Sequence, residues 1–257
     1  MNTPTIEHQL NHRSIRQFSN RPVDQQTLDR LREVARRTPS SNNIQSSAII
    51  RVKDPAVRST LADIANQAYI KDAPEVWVMI VDCHRLQGIV EERGADADEA
   101  DGADGAASMD LFFQGFTDAC LMGQNIVNAA ESLGLGTCYL GSLLNDCPGV
   151  IEALKLPALT FPVFGLMIGW PGQEPALKPR MDMGLRFFED SYQRPDSYVE
   201  ALSEHDTALA SYYDLRDVSK PVPAYTAQVV ARMGLSIGSR RQILRAVRSQ
   251  GFNLALE

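Results

Sequence analysis

The sequence predicts a mixed fold of helices and strands, and three patterns along its 257 residues lead to this prediction. Four apolar runs have the length of buried strands, near residues 48–52, 76–81, 137–142 and 161–170. Other segments repeat apolar residues at helical spacing after helix-starting residues, namely Asp24 and the pair Asp54-Pro55. Residues 109–133 form a long helical pattern that is apolar on nearly all sides, which indicates a buried axis or a subunit interface.

Composition excludes several classes of protein. A chain with 44% hydrophobic and 22% charged residues is typical of globular domains, and the net charge of −7 argues against a general nucleic-acid binder. No apolar run reaches membrane-spanning length, and the N-terminus lacks a signal-peptide hydrophobic region. We therefore expect no membrane and no nucleic-acid partner, and a cytoplasmic location. The four cysteines show no C-x-x-C spacing, which indicates reduced, mostly buried thiols.

The remaining elements follow in order. Helical patterns are predicted over 5–12, from Asp24 to about Thr38, over 148–155, and over about 196–213, 224–234 and 239–250. In the last of these, Ile243, Leu244 and Val247 are expected to face the core. Residues 94–107 are rich in Asp and Glu, and calcium-loop spacing fails because Ala100 occupies the fifth position of a loop that begins at Asp96. We expect an acidic surface loop there, with a lid as the alternative.

Residues 11–18, with the sequence N-H-R-S-I-R-Q-F, concentrate groups that bind oxyanions. His12, Arg13 and Arg16 are cationic or potentially so, and Ser14 adds a hydroxyl. The apolar residues of the segment, Ile15 and Phe18, can anchor it to a core. A second basic element, Lys178-Pro179-Arg180, follows a strand-like run, and its proline keeps the two cations in an extended segment. The two elements together predict an anion clamp, whereas either one alone is equally typical of a solvated basic surface.

Several catalytic chemistries are excluded by missing motifs. There is no G-x-G-x-x-G after the first strand and no G-x-x-x-x-G-K-[ST]. The four histidines lack metal-ligand spacing, so no metal site is predicted. Ser142 lacks the second glycine of a nucleophile elbow. An anion clamp without a nucleophile or metal indicates a protein that takes its reactivity from a phosphorylated cofactor.

Five motifs in a fixed order resemble those of the FMN-dependent nitroreductase family, in particular its oxygen-insensitive NADPH nitroreductase and flavin reductase subgroup. They are H-R-S-I-R-Q-F at 12–18, the serines at 40–41, A-E-S-L-G-L-G-x-x-Y-L-G at 130–141, F-G-L-M-I-G-W-P at 164–171 and L-K-P-R at 177–180. The resemblance implies a single nitroreductase-like domain over 1–257 with an α+β fold, namely a mixed, mainly antiparallel sheet flanked by helices. It also implies a long buried interface helix, a helical C-terminal extension over about 196–257, and a homodimer.

The resemblance further implies FMN as the cofactor and a role for each matching residue. His12, Arg13, Ser14, Lys178 and Arg180 would surround the FMN phosphate and ribityl chain, with Ile15 between them. Arg16 would lie by the N1 and C2-carbonyl edge, where reduction leaves negative charge. Ser40, Ser41 and Gln67 would bind ribityl and pyrimidine polar atoms. Tyr139, Leu140, Gly141 and Ser142 would lie along the isoalloxazine ring. No side chain would act as a nucleophile.

The implied reaction is a ping-pong transfer of two electrons from NAD(P)H to a small planar acceptor such as a nitroaromatic or quinone. Two alternatives remain: an NAD(P)H:flavin reductase that releases reduced free flavin, and a flavin-binding or sensing protein without turnover. The family's nicotinamide-binding loop corresponds here to residues 215–223, which contain two prolines and few cations. Arg216, Lys220 and Arg240 are the candidates for binding the nucleotide, and the choice between NADPH and NADH stays open.

Overall fold

The computed structural model describes residues 3–94, 105–234 and 239–254. Contacts divide the chain into two compact units, Met1–Glu174 with Gly238–Glu257, and Pro175–Ile237. The helices of the first unit are α1 (Pro4–Leu10), α2 (Gln25–Arg36), α3 (Pro55–Ala65), α4 (His84–Arg93), α5 (Met109–Ser132), α6 (Cys147–Ala153) and α10 (Ile243–Ser249). Its strands are β1 (Ser47–Arg51), β2 (Glu75–Asp82), β3 (Gly136–Leu140) and β4 (Thr160–Gly169). The second unit contains α7 (Tyr198–Ala201), α8 (Ser203–Ala210) and α9 (Tyr225–Gly234).

The four strands form one sheet in the order β1-β2-β4-β3, and each neighbouring pair is antiparallel. Alternate residues of β2 enter different cores: Trp77 packs with α2 and α5, whereas Val78 packs with α3 and α6. Because β2 is buried on both faces, its sequence is a continuous apolar run. The predicted α+β class with a mainly antiparallel sheet is confirmed.

Two predicted helix starts are confirmed by their caps. The Asp24 carboxylate accepts a hydrogen bond from the Thr27 N–H at 2.8 Å, and Asp54 accepts one from the Ala56 N–H at 2.8 Å. Each bond satisfies an N–H that has no partner inside its helix.

Three helical regions differ in detail from what the sequence indicated. Helix α4 was not predicted, because its apolar set is short (Leu86, Ile89 and Val90) and none of its residues is fully buried. The long helix α5 leaves Phe113 and Leu121 62% and 46% exposed in this chain, which fits the interface alternative and not a fully buried axis. The helix predicted over 196–213 is divided into α7 and α8 at Leu202.

The inward face of the last helix also differs from the prediction. Ala246 and Val247 are buried, whereas Leu244 is 65% exposed. Ile243 is three and four residues from Ala246 and Val247 and so shares a helix face with both, whereas Leu244 is two residues from Ala246 and lies to the side of that face. The predicted acidic loop at 94–107 lies mostly outside the described residues. Within the described part of the chain, no helix is both long enough and apolar enough to cross a bilayer.

Candidate active site

Residues 12–16 lie against strand β3. The Ile15 N–H donates to the Thr137 carbonyl oxygen at 2.8 Å, and Ser14 forms a parallel bridge with Thr137. The Ile15 side chain is 5% exposed, while the side chains around it are only half-buried. The predicted arrangement, an apolar anchor flanked by polar groups, is therefore present. It joins the predicted phosphate-binding residues to the strand that leads to Tyr139.

Gly136 allows this close approach. A Cβ added to Gly136 would lie 2.5 Å from Cγ1 and 2.8 Å from Cβ of Ile15. Because the Ile15 Cβ is fixed to the backbone, a side chain at residue 136 would displace the 12–16 segment from β3.

We expect Gly136→Ala to lower the free energy of unfolding by roughly 1–3 kcal/mol, the usual cost of overpacking a core. Urea denaturation measures this change. Gly88→Ala is the matched control, since an added Cβ there meets nothing within 4 Å and lies inside helix α4. That control should leave stability unchanged or raise it by up to about 1 kcal/mol. Equal stability of wild type and Gly136→Ala would contradict the close-approach interpretation.

Glu131, for which no role was predicted, orients the His12 side chain. The Glu131 Oε1 atom lies 2.7 Å from His12 Nδ1 and accepts a hydrogen bond from the Thr137 hydroxyl at 2.7 Å. The Glu131 side chain is 13% exposed, so the bonds to it fix its position and that of the imidazole. Glu131 lies inside the A-E-S-L-G motif, but the spacing of that motif gives no sign that its partner is His12.

The opposite end of β3 brings together Gln67, Gly141 and Ser142. The Ser142 hydroxyl donates to Gln67 Oε1 at 3.1 Å, which places two predicted cofactor-binding residues side by side. A Cβ added to Gly141 would meet nothing within 4 Å, so there is open space over this backbone. Arg240, a nicotinamide candidate, donates from Nη2 to the Gly141 carbonyl oxygen at 2.9 Å and from Nε to Asn145 Oδ1 at 3.0 Å. Two of its donors therefore hold the residue-141 turn.

Tyr139 and Leu140 have different environments. The Tyr139 hydroxyl donates to Gln124 Oε1 at 3.1 Å, and its ring meets Phe164 edge-on at 5.1 Å. Burial raises the pKa of Tyr139, so its phenol stays protonated at neutral pH. Leu140 is 1% exposed in the core, so it contributes backbone to the site and no accessible side chain.

Ser40 and Ser41 lie in a separate part of the first unit. Ser40 lines a pocket of about 750 Å³ between α2, β1 and α5, whose described lining includes none of residues 12–16 or 139–142. The Ser41 N–H and hydroxyl both donate to Asp118 Oδ1, at 3.0 and 3.3 Å. Their assignment to the cofactor stays a prediction.

The remaining basic candidates belong to the second unit. Lys178 Nζ lies 5.9 Å from the centroid of the Tyr212 ring, and Arg180 Nη1 lies 3.4 Å from the Lys178 carbonyl oxygen. Arg216 makes two bonds of 2.9 Å to the carboxylate of Asp214, and Lys220 is exposed. The Arg216 guanidinium is thus engaged within its own loop.

Burial limits the reactivity of two of the cysteines. All four are free thiols, and three are buried. Burial raises the pKa of both Cys83 and Cys147 to about 11, so these thiols stay protonated and unreactive at neutral pH. Among the described residues, no group of three His, Cys, Asp or Glu side chains is arranged to hold a metal ion.

The first unit offers two features to an elongated anionic ligand. The Arg13 Nε atom is buried and has no hydrogen-bond partner among the described residues. This donor of the 12–16 segment could therefore bind an acceptor atom of a ligand. Thr137 and Gly141 are four positions apart along the chain, which corresponds to a distance of about 13 Å in an extended strand. A ligand with an anionic end near Arg13 and a planar end over Gly141 fits this arrangement.

Comparisons with known proteins agree with this geometry. The sequence matches the profile described as Nitroreductase family over residues 10–170, and that of the family's C-terminal domain over 178–255. It is 39% identical to an oxygen-insensitive NADPH nitroreductase of Salmonella typhimurium over 82% of this chain and 83% of the relative. It is 32% identical to an FMN reductase (NADPH) of Bacillus subtilis over 97% of this chain and 98% of the relative.

A solved structure shows the same fold. The NADPH:FMN oxidoreductase of Vibrio harveyi, in complex with NAD+, superposes with a TM-score of 0.84 at 30% identity, covering 98% of this chain and 100% of that one. Matches of this extent, over the strands, α5 and the C-terminal helices alike, establish the relationship. The chain belongs to the nitroreductase family.

Proposed function

We propose that this protein is an FMN-dependent NAD(P)H oxidoreductase that reduces nitroaromatics, quinones or similar planar acceptors by two electrons in a ping-pong cycle. The observation that carries the proposal is the docking of residues 12–16 on β3, because it joins an anion-binding segment to the open backbone at Gly141. Family membership supports a flavin as the cofactor, and the FMN reductase and NADPH:FMN oxidoreductase relatives support FMN.

The phosphate end of FMN is assigned to the residues that the family resemblance indicates. His12, Arg13 and Ser14 supply donors, with Glu131 fixing the imidazole of His12. Lys178 and Arg180, assigned to the phosphate by the same resemblance, carry charges that suit a phosphate dianion.

Bound FMN supplies the redox chemistry, accepting a hydride and returning two electrons. Arg16 places a fixed positive charge at the pyrimidine edge, where it stabilises the negative charge that reduction creates. Gln67 and Ser142, already bonded to each other, offer polar atoms to the ring. Gly141 lets its N–H approach the ring because no Cβ stands in the way. The protonated Tyr139 phenol adds no competing charge beside the ring.

A homodimer is part of the proposal. Helix α5 exposes the large apolar side chains Phe113 and Leu121, 62% and 46% accessible in the single chain. A partly apolar helix surface of this kind is typical of a subunit interface.

A second candidate function is favoured by the relatives' names. Two of them are described as FMN reductase and NADPH:FMN oxidoreductase, for which free flavin is the acceptor. Turnover measured side by side with FMN and with nitrofurazone or a quinone separates the two functions. A much higher kcat/KM with free FMN would identify a flavin reductase.

The first test of the proposal is the absorbance spectrum of the purified protein. We expect flavin bands that bleach when NADPH is added without oxygen, and that return when a quinone is added. NADH in a parallel sample measures donor preference. A flavin spectrum that neither nucleotide bleaches would indicate a binding or sensing protein, and a colourless protein that cannot be loaded with FMN would refute the proposal.

A further inference from the structure

The loop that carries Ser40 and Ser41 has an unusual backbone. Asn42, Asn43 and Gln45 have φ angles of 50°, 58° and 57°. Residues other than glycine rarely adopt this left-handed conformation; asparagine tolerates it at a small cost, and the cost is larger at Gln45. Contacts from outside the loop must therefore maintain its shape.

Helix α5 supplies those contacts from one face. Asp118 accepts both donors of Ser41, and the Asn125 amide donates to the Thr38 hydroxyl at 3.1 Å. A side chain at Gly115 would overlap the Ser46 carbonyl oxygen, so the helix backbone touches the end of the loop directly. Residues 115, 118 and 125 are three and seven apart, which places them on one side of the helix.

Asp118 is the most costly of these residues to bury. It is 2% exposed, and its Oδ2 atom has no hydrogen-bond partner among the described residues. A buried carboxylate destabilises a fold unless its oxygens are bonded, and here the fold satisfies only Oδ1. Burial of this kind indicates a role beyond packing, because an apolar residue would fill the same volume at lower cost.

We propose that Asp118 is a positioning residue for the cofactor, holding Ser41 so that the Ser40 hydroxyl is fixed in its FMN-binding position. The inference rests on the proposed function. Two donors from one residue meet a single carboxylate oxygen, and charge-assisted bonds of this kind are stronger than neutral ones. Without them, the three left-handed residues lose the contact that opposes their strain, and the loop samples other conformations.

The test compares substitutions of Asp118 in the FMN-loaded protein. Asp118→Leu keeps the branching at Cγ but removes the acceptor oxygens, whereas Asp118→Asn has nearly the same volume and keeps an oxygen that can accept from the Ser41 N–H. We expect Asp118→Leu, which removes both bonds to Ser41, to raise the FMN dissociation constant roughly tenfold, equivalent to about 1.4 kcal/mol. Asp118→Asn keeps an acceptor without the charge, so it should raise the constant by about threefold, between wild type and Asp118→Leu. Fluorescence of FMN released on dilution measures both constants.

Control variants distinguish an effect on the position of Ser41 from a loss of folding and from a failure of the proposed function. Asp110→Ala removes an exposed aspartate of α5 that accepts a hydrogen bond from the Gln114 amide at 2.6 Å, and it should leave the constant unchanged. Asp118→Ala replaces Asp118→Leu if that variant does not fold. Equal FMN binding by wild type and Asp118→Leu, or equal weakening by Leu and Asn, would overturn the inference and leave the proposed function intact. Wild type that binds no FMN would overturn both.

Discussion

The Lys178→Ala and Arg180→Ala double variant should purify almost without FMN. Hydrogen bonds to charged groups contribute about 1.5–3 kcal/mol each, so losing two weakens FMN binding by roughly a hundredfold or more. Such a loss leaves the protein colourless at micromolar concentration. The ratio of flavin to protein absorbance measures the occupancy directly.

A matched variant removes two exposed cations elsewhere. Lys53 and Arg248 are exposed and have no assigned role, so replacing both with alanine changes the net charge equally. We expect normal FMN occupancy in that variant. Normal occupancy in the Lys178 and Arg180 variant as well would refute the two-part anion clamp.

Arg16→Ala should lower the flavin reduction potential and slow turnover while largely sparing FMN binding. The half-buried guanidinium is assigned to the edge that becomes negative on reduction, so it favours the reduced form over the oxidised form. We expect a fall of roughly 30–60 mV, since about 30 mV corresponds to 1.4 kcal/mol for a two-electron couple.

Anaerobic titration against a reference dye measures this potential. Arg16→Lys keeps the charge without the planar fork, so its potential should lie close to that of wild type. A potential in Arg16→Ala equal to that of wild type would remove Arg16 from its assigned role, even if turnover fell.

Patterns that depend on burial made the fold predictable from sequence. Strand β2 is buried on both faces and therefore appears in the sequence as a continuous apolar run. The caps at Asp24 and Asp54 are local, so the residue type alone predicts each helix start. Helix α4 left a weak signal, because only Leu86 packs against the core and no residue of the helix is fully buried. Leu244 was misplaced because an apolar residue can occupy the exposed side of a short helix.

The site was predictable in its residue types and less so in its arrangement. The motifs gave the segment 12–16 and the turn at Gly141, and the fold brings them to the two ends of β3. Glu131 and Asp118 were missed, because their partners His12 and Ser41 are distant in sequence. One signal was available for Asp118, a lone charge within the apolar middle of α5.

The docking of the N-terminal segment has a consequence for protein synthesis. Ser14 pairs with Thr137 and Phe18 with Pro171, so both partners are translated long after the segment that they hold. A nascent chain therefore carries its cationic segment undocked until β3 and the end of β4 have left the ribosome. The proposed binding of FMN to this segment must follow most of translation, and a chain truncated before Thr137 has no docking strand for residues 12–16.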